Sequence, residues 1–267
     1  MSPAARPTSA QMARRLIVLA AAIFSVAVAY GQRVMGWGQS AEVFSADSDA
    51  TLRVVGYAFA IWGPIYLALA VYAVRQALPM TGESRIIGGL GWPSALALGG
   101  IGAWIVAAAF DWEVMTIVLI VGSLSVLLIA LLSHAPAVRA LPMGDPDRWT
   151  VVWPLGLLAG WLTIAAPVNL ITVATGNGDL PTLLSPSAWA MTAIGLVVLG
   201  ALAVTQRIRT IAYPIPVAWG LFGAFAAEQD RNPPLAYFAL GAAVALLAGA
   251  VVLTFQSRPG VERAARP

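Results

Sequence analysis

Few side chains in this 267-residue sequence are equipped for chemistry. Cysteine is absent, one histidine stands at His134, and all 15 cationic side chains are arginines. That inventory excludes thiolate nucleophiles, Cys/His zinc sites, iron–sulfur clusters and bis-histidine haem ligation. Two carboxylate pairs, Asp111/Glu113 and Asp145/Asp147, have a spacing suited to acid–base or cation work. Each falls on a short wet loop with no desolvation to raise a pKa, so neither is expected to be catalytic. Asp111, Glu113, Glu228 and Asp230 read as solvated loop carboxylates. His134 closes an apolar run, where a cation suits a helix C-terminus, and reads as a cap, not a ligand. No phosphate-cradling glycine loop, nucleophile elbow or H-E-x-x-H occurs. No enzyme activity, metal site or required cofactor is expected.

What remains is aromatic, above all ten tryptophans. Trp37, Trp92, Trp112, Trp149, Trp153 and Trp189 fall at the ends of apolar segments, where an amphipathic indole prefers a membrane interface. Trp62, Trp104, Trp161 and Trp219 fall within segments. A lipid-facing indole at depth leaves its N–H unsatisfied, so these four are expected to face a bundle interior. Trp161, Ala165 and Asn169 recur at i, i+4 and i+8, on one helix face. An indole, a gap and an amide on one stripe suit the wall of a ligand cavity. They equally suit helix packing, with Ala165 allowing close approach and Asn169 bonding a neighbour.

The elements that must position these residues are membrane helices. The chain is 60% apolar and 10% charged, with a mean hydropathy of +0.82, too few charges to cover a water-facing surface. Eight segments approach the roughly 20 apolar residues needed to span about 30 Å of hydrocarbon. They are Leu16–Gly36, Val54–Ala77, Trp92–Phe110, Val114–Ser133, Val151–Ala174, Ser187–Val204, Ile211–Ala227 and Pro233–Phe255. The seventh is short and holds Pro214, Pro216, Gly220 and Gly223, so a kinked or re-entrant course is open. The segment cores hold no ionisable residue, which argues against a proton pump and against intramembrane hydrolysis.

Loop charge alternates. Twelve of the 15 arginines fall on one set of ends: Arg6, Arg14, Arg15, Arg75, Arg85, Arg139, Arg148, Arg207, Arg209, Arg258, Arg263 and Arg266. Arg33, Arg53 and Arg231 fall on the other. The asymmetry predicts both termini in the cytoplasm of a bacterial-type inner membrane. It places Trp62, Trp104, Ala165, Asn169 and Trp219 in the outer half of the bilayer. Because the arginines are scattered singly, nucleic acid is not an expected partner. Arg14-Arg15, an apolar stretch and Ala27-Val28-Ala29 also fit a cleavable signal peptide. The organisation reads as a cytoplasmic tail (1–15), a five-helix core (16–175), three additional helices (176–256) and a second cytoplasmic tail (257–267).

Gly56-Tyr57-Ala58-Phe59-Ala60-Ile61-Trp62-Gly63-Pro64-Ile65-Tyr66 resembles the second-helix signature of the TspO/MBR family, the translocator or tryptophan-rich sensory proteins. Trp161, Ala165 and Asn169 match that family's fifth-helix signature in type and spacing, and Trp104 with Phe110 resembles its tryptophan-rich third helix. The likeness covers Leu16–Thr175; three segments follow, as in a longer, divergent branch. It implies an all-α, polytopic transmembrane bundle of about eight helices, a TspO-like five-helix core plus three. It further implies a small, flat, hydrophobic ligand, tetrapyrrole- or sterol-like, held under the loop after the first helix. Trp62, Tyr66, Trp104, Trp161, Ala165 and Val168 would border that pocket, Asn169 would support it, and Trp112 would match the tryptophan at the start of the fourth helix. A sensing, regulatory or transport role and a possible homodimer in the lipid bilayer follow from the likeness. The alternatives are a secondary transporter of a neutral or hydrophobic solute, and an assembly subunit with no ligand.

Overall fold

The computed structural model describes residues 7–46, 51–78 and 84–255. Arg6 and the tail 257–267, used above for charge and topology, lie outside the described residues. Helix α1 (Ser9–Met35) opens with a reciprocal cap between Thr8 and Gln11 and closes on Gly36 in the left-handed region. A short helix α2 (Ala41–Ala46) follows. The second segment is divided: Gly56–Ile61 winds as a 3-10 turn, and only at Trp62 does helix α3 (Trp62–Ala77) begin. Pro64 then lies in the first turn, where its missing N–H has no helical partner to lose.

Helix α4 (Arg85–Ala109) begins well before the expected Trp92, so that indole stands about two turns inside the helix instead of at its end. Then come α5 (Glu113–Ser133) and the short α6 (Ala135–Ala140). Arg148–Val152 forms a π-turn before helix α7 (Trp153–Gly176). Its wider path suits Pro154, which donates no backbone hydrogen bond to Thr150. Helices α8 (Pro186–Ile208), α9 (Pro214–Glu228) and α10 (Pro233–Phe255) complete the chain. Every described element is helical, and seven helices are long and apolar enough to cross a membrane.

The first five long helices form a closed ring: α1 packs on α3 and α4, α4 on α5, α5 on α7, and α7 back on α3. Helix α1, whose sequence also fits a cleavable signal peptide, is one wall of this ring, with Val18 and Ala22 buried. The added helices are arranged around α9, which packs on α7, α10 and the 3-10 turn.

The doubtful seventh segment is α9, of 15 residues. At 1.5 Å per residue it is about 22 Å long, short of the hydrocarbon thickness. Its inner end is nevertheless sheathed by protein. Ala212 and Tyr213 are fully buried, and a Cβ on Gly160 of α7 would run into the Tyr213 carbonyl. Glycine there lets the irregular turn preceding α9 lie directly on α7, and the Tyr213 hydroxyl shares a hydrogen bond with Thr163 (2.8 Å). The Asn232 amide donates to Ser187 Oγ (2.7 Å), which joins the N-terminus of α10 to that of α8. Two helices that start together run in parallel, so α9 returns the chain from one face to the other.

Two carboxylates read as solvated are not. Asp147 is 6% exposed and meets Arg75 at 2.6 Å, a pair 72 residues apart in sequence. Glu228 is 3% exposed, with Arg231 at 3.5 Å. Ion pairing allows both to be buried. His134 caps α5, its Nδ1–H donating to the Ala130 carbonyl (2.9 Å).

With no native cysteine, the return course of α9 is directly testable. Single cysteines at Asp179 and Asp230 should react with an impermeant thiol reagent on one side of sealed vesicles, and one at Arg207 only on the other. Reaction of Asp230→Cys on the Arg207 side would show that α9 does not cross.

Candidate functional site

Inside the ring, helix α7 supplies Trp161, Ala165, Val168 and Asn169, all on its inward stripe. Pro167 in mid-helix removes one backbone donor within this stretch. Asn169, 5% exposed, is the centre of a polar relay. Its Oδ1 accepts from the Trp104 indole N–H (2.9 Å), and its Nδ2 donates to Thr116 Oγ1 (2.9 Å). Thr116 in turn donates to the Glu113 carbonyl (2.6 Å). One amide thus joins α4, α5 and α7, and every polar atom in the chain of bonds is matched.

The aromatic residues are set edge to face around Trp161. Trp62 approaches it at 6.2 Å and 81°, Phe59 at 6.0 Å and 80°. Trp62 also stacks on Tyr66 (5.1 Å, 24°), four residues later on the same helix face. Phe44 of α2 meets Trp104 at 90° and is 3% exposed, so the loop after α1 is folded down onto the cavity. That loop is pinned at its start. The Gln32 side chain donates to the Trp37 and Gln39 carbonyls, and the Gln39 backbone N–H donates to Ala109. Gly38, at φ 63, lies so close to Ala109 that a Cβ would meet its carbonyl.

Trp62, Phe59 and Trp104 divide the interior into two chambers. The outer one, about 410 Å³, lies between α1 and α3, with Tyr30, Trp62, Tyr66 and Trp104 on its walls. Arg33 and Glu42, 3.6 Å apart, stand at its rim. The inner one has room for about 30 Å³ and is lined by Trp161, Ala165, Val168 and Asn169. Gly220 of α9 supplies part of its back wall. Trp104 and Trp219 donate their indole N–H groups to Asn169 and to the Ala58 carbonyl (2.8 Å). The indole N–H groups of Trp62 and Trp161 have no protein acceptor among the described residues. Among those residues, too, no group of three or more metal-ligating side chains gathers.

Seven of the eight residues expected at the site therefore line one chamber or the other: Trp62, Tyr66, Trp104, Trp161, Ala165, Val168 and Asn169. Trp112 does not. It is 55% exposed and stacked on Phe110, which itself stacks on Trp37, at the outer rim of the ring. The tight α4–α5 turn, with Asp111 at φ 58, carries it away from the interior. Phe59, Tyr30 and the Arg33/Glu42 rim were not anticipated. Phe59 stands three residues before Trp62 within the quoted motif, a signal that helical spacing could have supplied. Gly220 had no signal, because its part depends on how α9 docks.

A ring of membrane helices around an aromatic cavity, closed above by a pinned loop, is the architecture of a polytopic helical membrane protein with an internal ligand-sized chamber. The chain belongs to the TSPO-like protein family, whose pattern it matches over residues 15–252. The match runs through α8, α9 and α10 and so includes the helices outside the ring. Comparison with curated proteins and with solved structures gives no match.

Replacing Asn169 with Leu should lower stability by about 0.6–2 kcal/mol, read as a lower melting temperature in detergent. Trp104→Phe in the same background removes the donor left unpaired, so the double variant should be less destabilised than the two single losses added together. Strict additivity would mean that the Trp104–Asn169 bond contributes nothing.

Proposed function

We propose that the chain binds a small, flat, largely apolar ligand in the outer chamber and serves in sensing or regulation at the membrane. The observation that carries this reading is the chamber of about 410 Å³ walled by Trp62, Tyr66 and Trp104. Its size falls in the range of small-molecule sites, and its few polar groups are at the rim, where they would fix orientation. An aromatic wall favours a ligand with a face to stack, such as a tetrapyrrole, over a sterol. Arg33, whose side chain is 77% exposed at the rim, suits a carboxylate on that ligand. The Trp62 indole N–H would donate to a carbonyl or carboxylate of that ligand. The cavity also weighs against an assembly subunit without a ligand, which would have packed its tryptophans solid. The arginine asymmetry supports an orientation with both termini in the cytoplasm of a bacterial-type inner membrane.

One observation favours the transporter reading. The second segment changes from a 3-10 turn (Gly56–Ile61) to an α-helix at Trp62, α9 is unusually short, and the two dock on each other. Val55 N–H donates to the Gly223 carbonyl (3.1 Å), and Trp219 to that of Ala58. Discontinuous helices meeting beside a cavity are a transporter trait.

Titration with protoporphyrin should quench tryptophan emission saturably. Trp62→Ala should weaken binding more than Trp161→Phe, since Trp62 faces the outer chamber directly. A lost stacking face is worth about 0.5–1.5 kcal/mol, so Trp62→Ala should weaken binding a few-fold or more, and Trp161→Phe, which reaches the outer chamber only through its edge-to-face contact with Trp62, by less. Trp189→Phe, distant from both chambers, should bind as the parent does. Equal weakening in all three would indicate partitioning into detergent. No saturable binding, together with solute uptake by reconstituted vesicles, would transfer the assignment to the transporter.

A further inference from the structure

On the arginine-rich face, away from the aromatic chambers, a trough runs between the end of α5 with α6 and the end of α8. Leu132, Ala203 and Val204 line its membrane-ward part, Arg139 and Arg207 its outer part, in a volume of about 560 Å³. A hollow of about 280 Å³ shares Pro136 and Arg139 with it and adds Arg209. Among the described residues that line the two hollows there is no carboxylate.

We propose that this trough seats one anionic glycerophospholipid, its phosphate held by Arg139, Arg207 and Arg209 and an acyl chain laid along Leu132, Ala203 and Val204. The order of residues on the two flanks carries the argument. Along α8 the chain passes from Ala203 and Val204 to Arg207 within about 6 Å of helical rise. Along α5 and α6 it passes from Leu132 to Arg139 in the same sense. Both flanks change from apolar to cationic together, at one level, as a lipid changes from tail to phosphate. The guanidinium fork matches phosphate oxygens in pairs, and weak hydration suits it to a site half in lipid. Arg209 is held at φ 49, a left-handed conformation that glycine adopts at less cost, yet an arginine side chain stands there over the hollow. A basic pocket between membrane helices with an apolar flank is selective for anionic over zwitterionic headgroups. The site lies between α5 of the ring, with α6, and α8 outside it, so a bound lipid would fasten the added helices to the core.

Thermal unfolding of the full chain in a neutral detergent tests this, with phosphatidylglycerol or phosphatidylcholine added at equal mole fraction. Phosphatidylglycerol should raise the melting temperature and phosphatidylcholine should not. Soluble glycerol phosphate should be without effect, which separates a lipid from a free phosphate. Each of Arg139→Gln and Arg207→Gln should weaken the phosphatidylglycerol response about five-fold, equivalent to about 1 kcal/mol per basic side chain. Arg85→Gln, on the same face but outside the trough, should leave it unchanged. Ala203→Trp keeps every arginine and fills the apolar half, and should also abolish the response, which covers the case that an arginine variant misfolds. Equal shifts with both lipids, a shift with glycerol phosphate, or a response surviving Ala203→Trp and the combined Arg139→Gln and Arg207→Gln changes would overturn the proposal.

Discussion

Lipid tails are as apolar as leucine, so the burial that drives soluble domains together does little between helices in a bilayer, and a buried hydrogen bond matters correspondingly more. The Asn169 amide is that bond here. It accepts from Trp104 on one helix and donates to Thr116 on another, and so fixes the angle at which three of the five ring helices meet. The bond ties the Trp104 indole to α7, and Trp104 is one of the three rings that separate the chambers. The shape of the cavity therefore depends on an amide that itself faces only the smaller space. Packing and pocket, alternatives for the Trp161–Ala165–Asn169 stripe, are two properties of one arrangement.

The same economy of polar groups runs through the rest of the molecule. Buried charges sit where partners exist, as in Arg75 with Asp147 and Glu228 with Arg231. Aromatic residues in the interior meet edge to face, which satisfies their quadrupoles without polar atoms. The added helices contribute through small residues: Gly160 accommodates the Tyr213 backbone, and Gly220 and Gly223 bring α9 against Ile164 and the 3-10 turn. Bulk at any of these positions would push α9 off the ring and open the back wall of the inner chamber.

How much of this was legible in the sequence depended on the range of the interaction. The long helices and the inward stripe of α7, with Trp161 and Asn169 on it, follow from hydropathy and a period of 3.6, both local, whereas Tyr66 was legible only through the likeness of the second-helix motif to the TspO/MBR signature. The division of the second segment was half legible: Gly63-Pro64 marks a break, but not that a 3-10 turn precedes it. Pairings across long separations were not legible. Nothing near Asp147 announces Arg75, and nothing near Trp112 announces that the turn at Asp111 carries it outward. Gly220 belongs to the same class, since its place in the chamber wall is decided by docking.

The outer chamber lies between α1 and α3, and the ring is joined there by an aromatic contact, Tyr30 with Tyr66 at 6.3 Å, instead of by an amide. Tyr30 is 52% exposed on the flank of the bundle, at bilayer depth. A hydrophobic ligand of the kind proposed would reach this seam by lateral diffusion within the leaflet, already concentrated by partitioning. Occupancy then follows the mole fraction of the solute in lipid, not its concentration in water. An apparent affinity quoted per litre of buffer will shift with the amount of membrane in the sample, and two preparations will agree only when compared per mole of lipid.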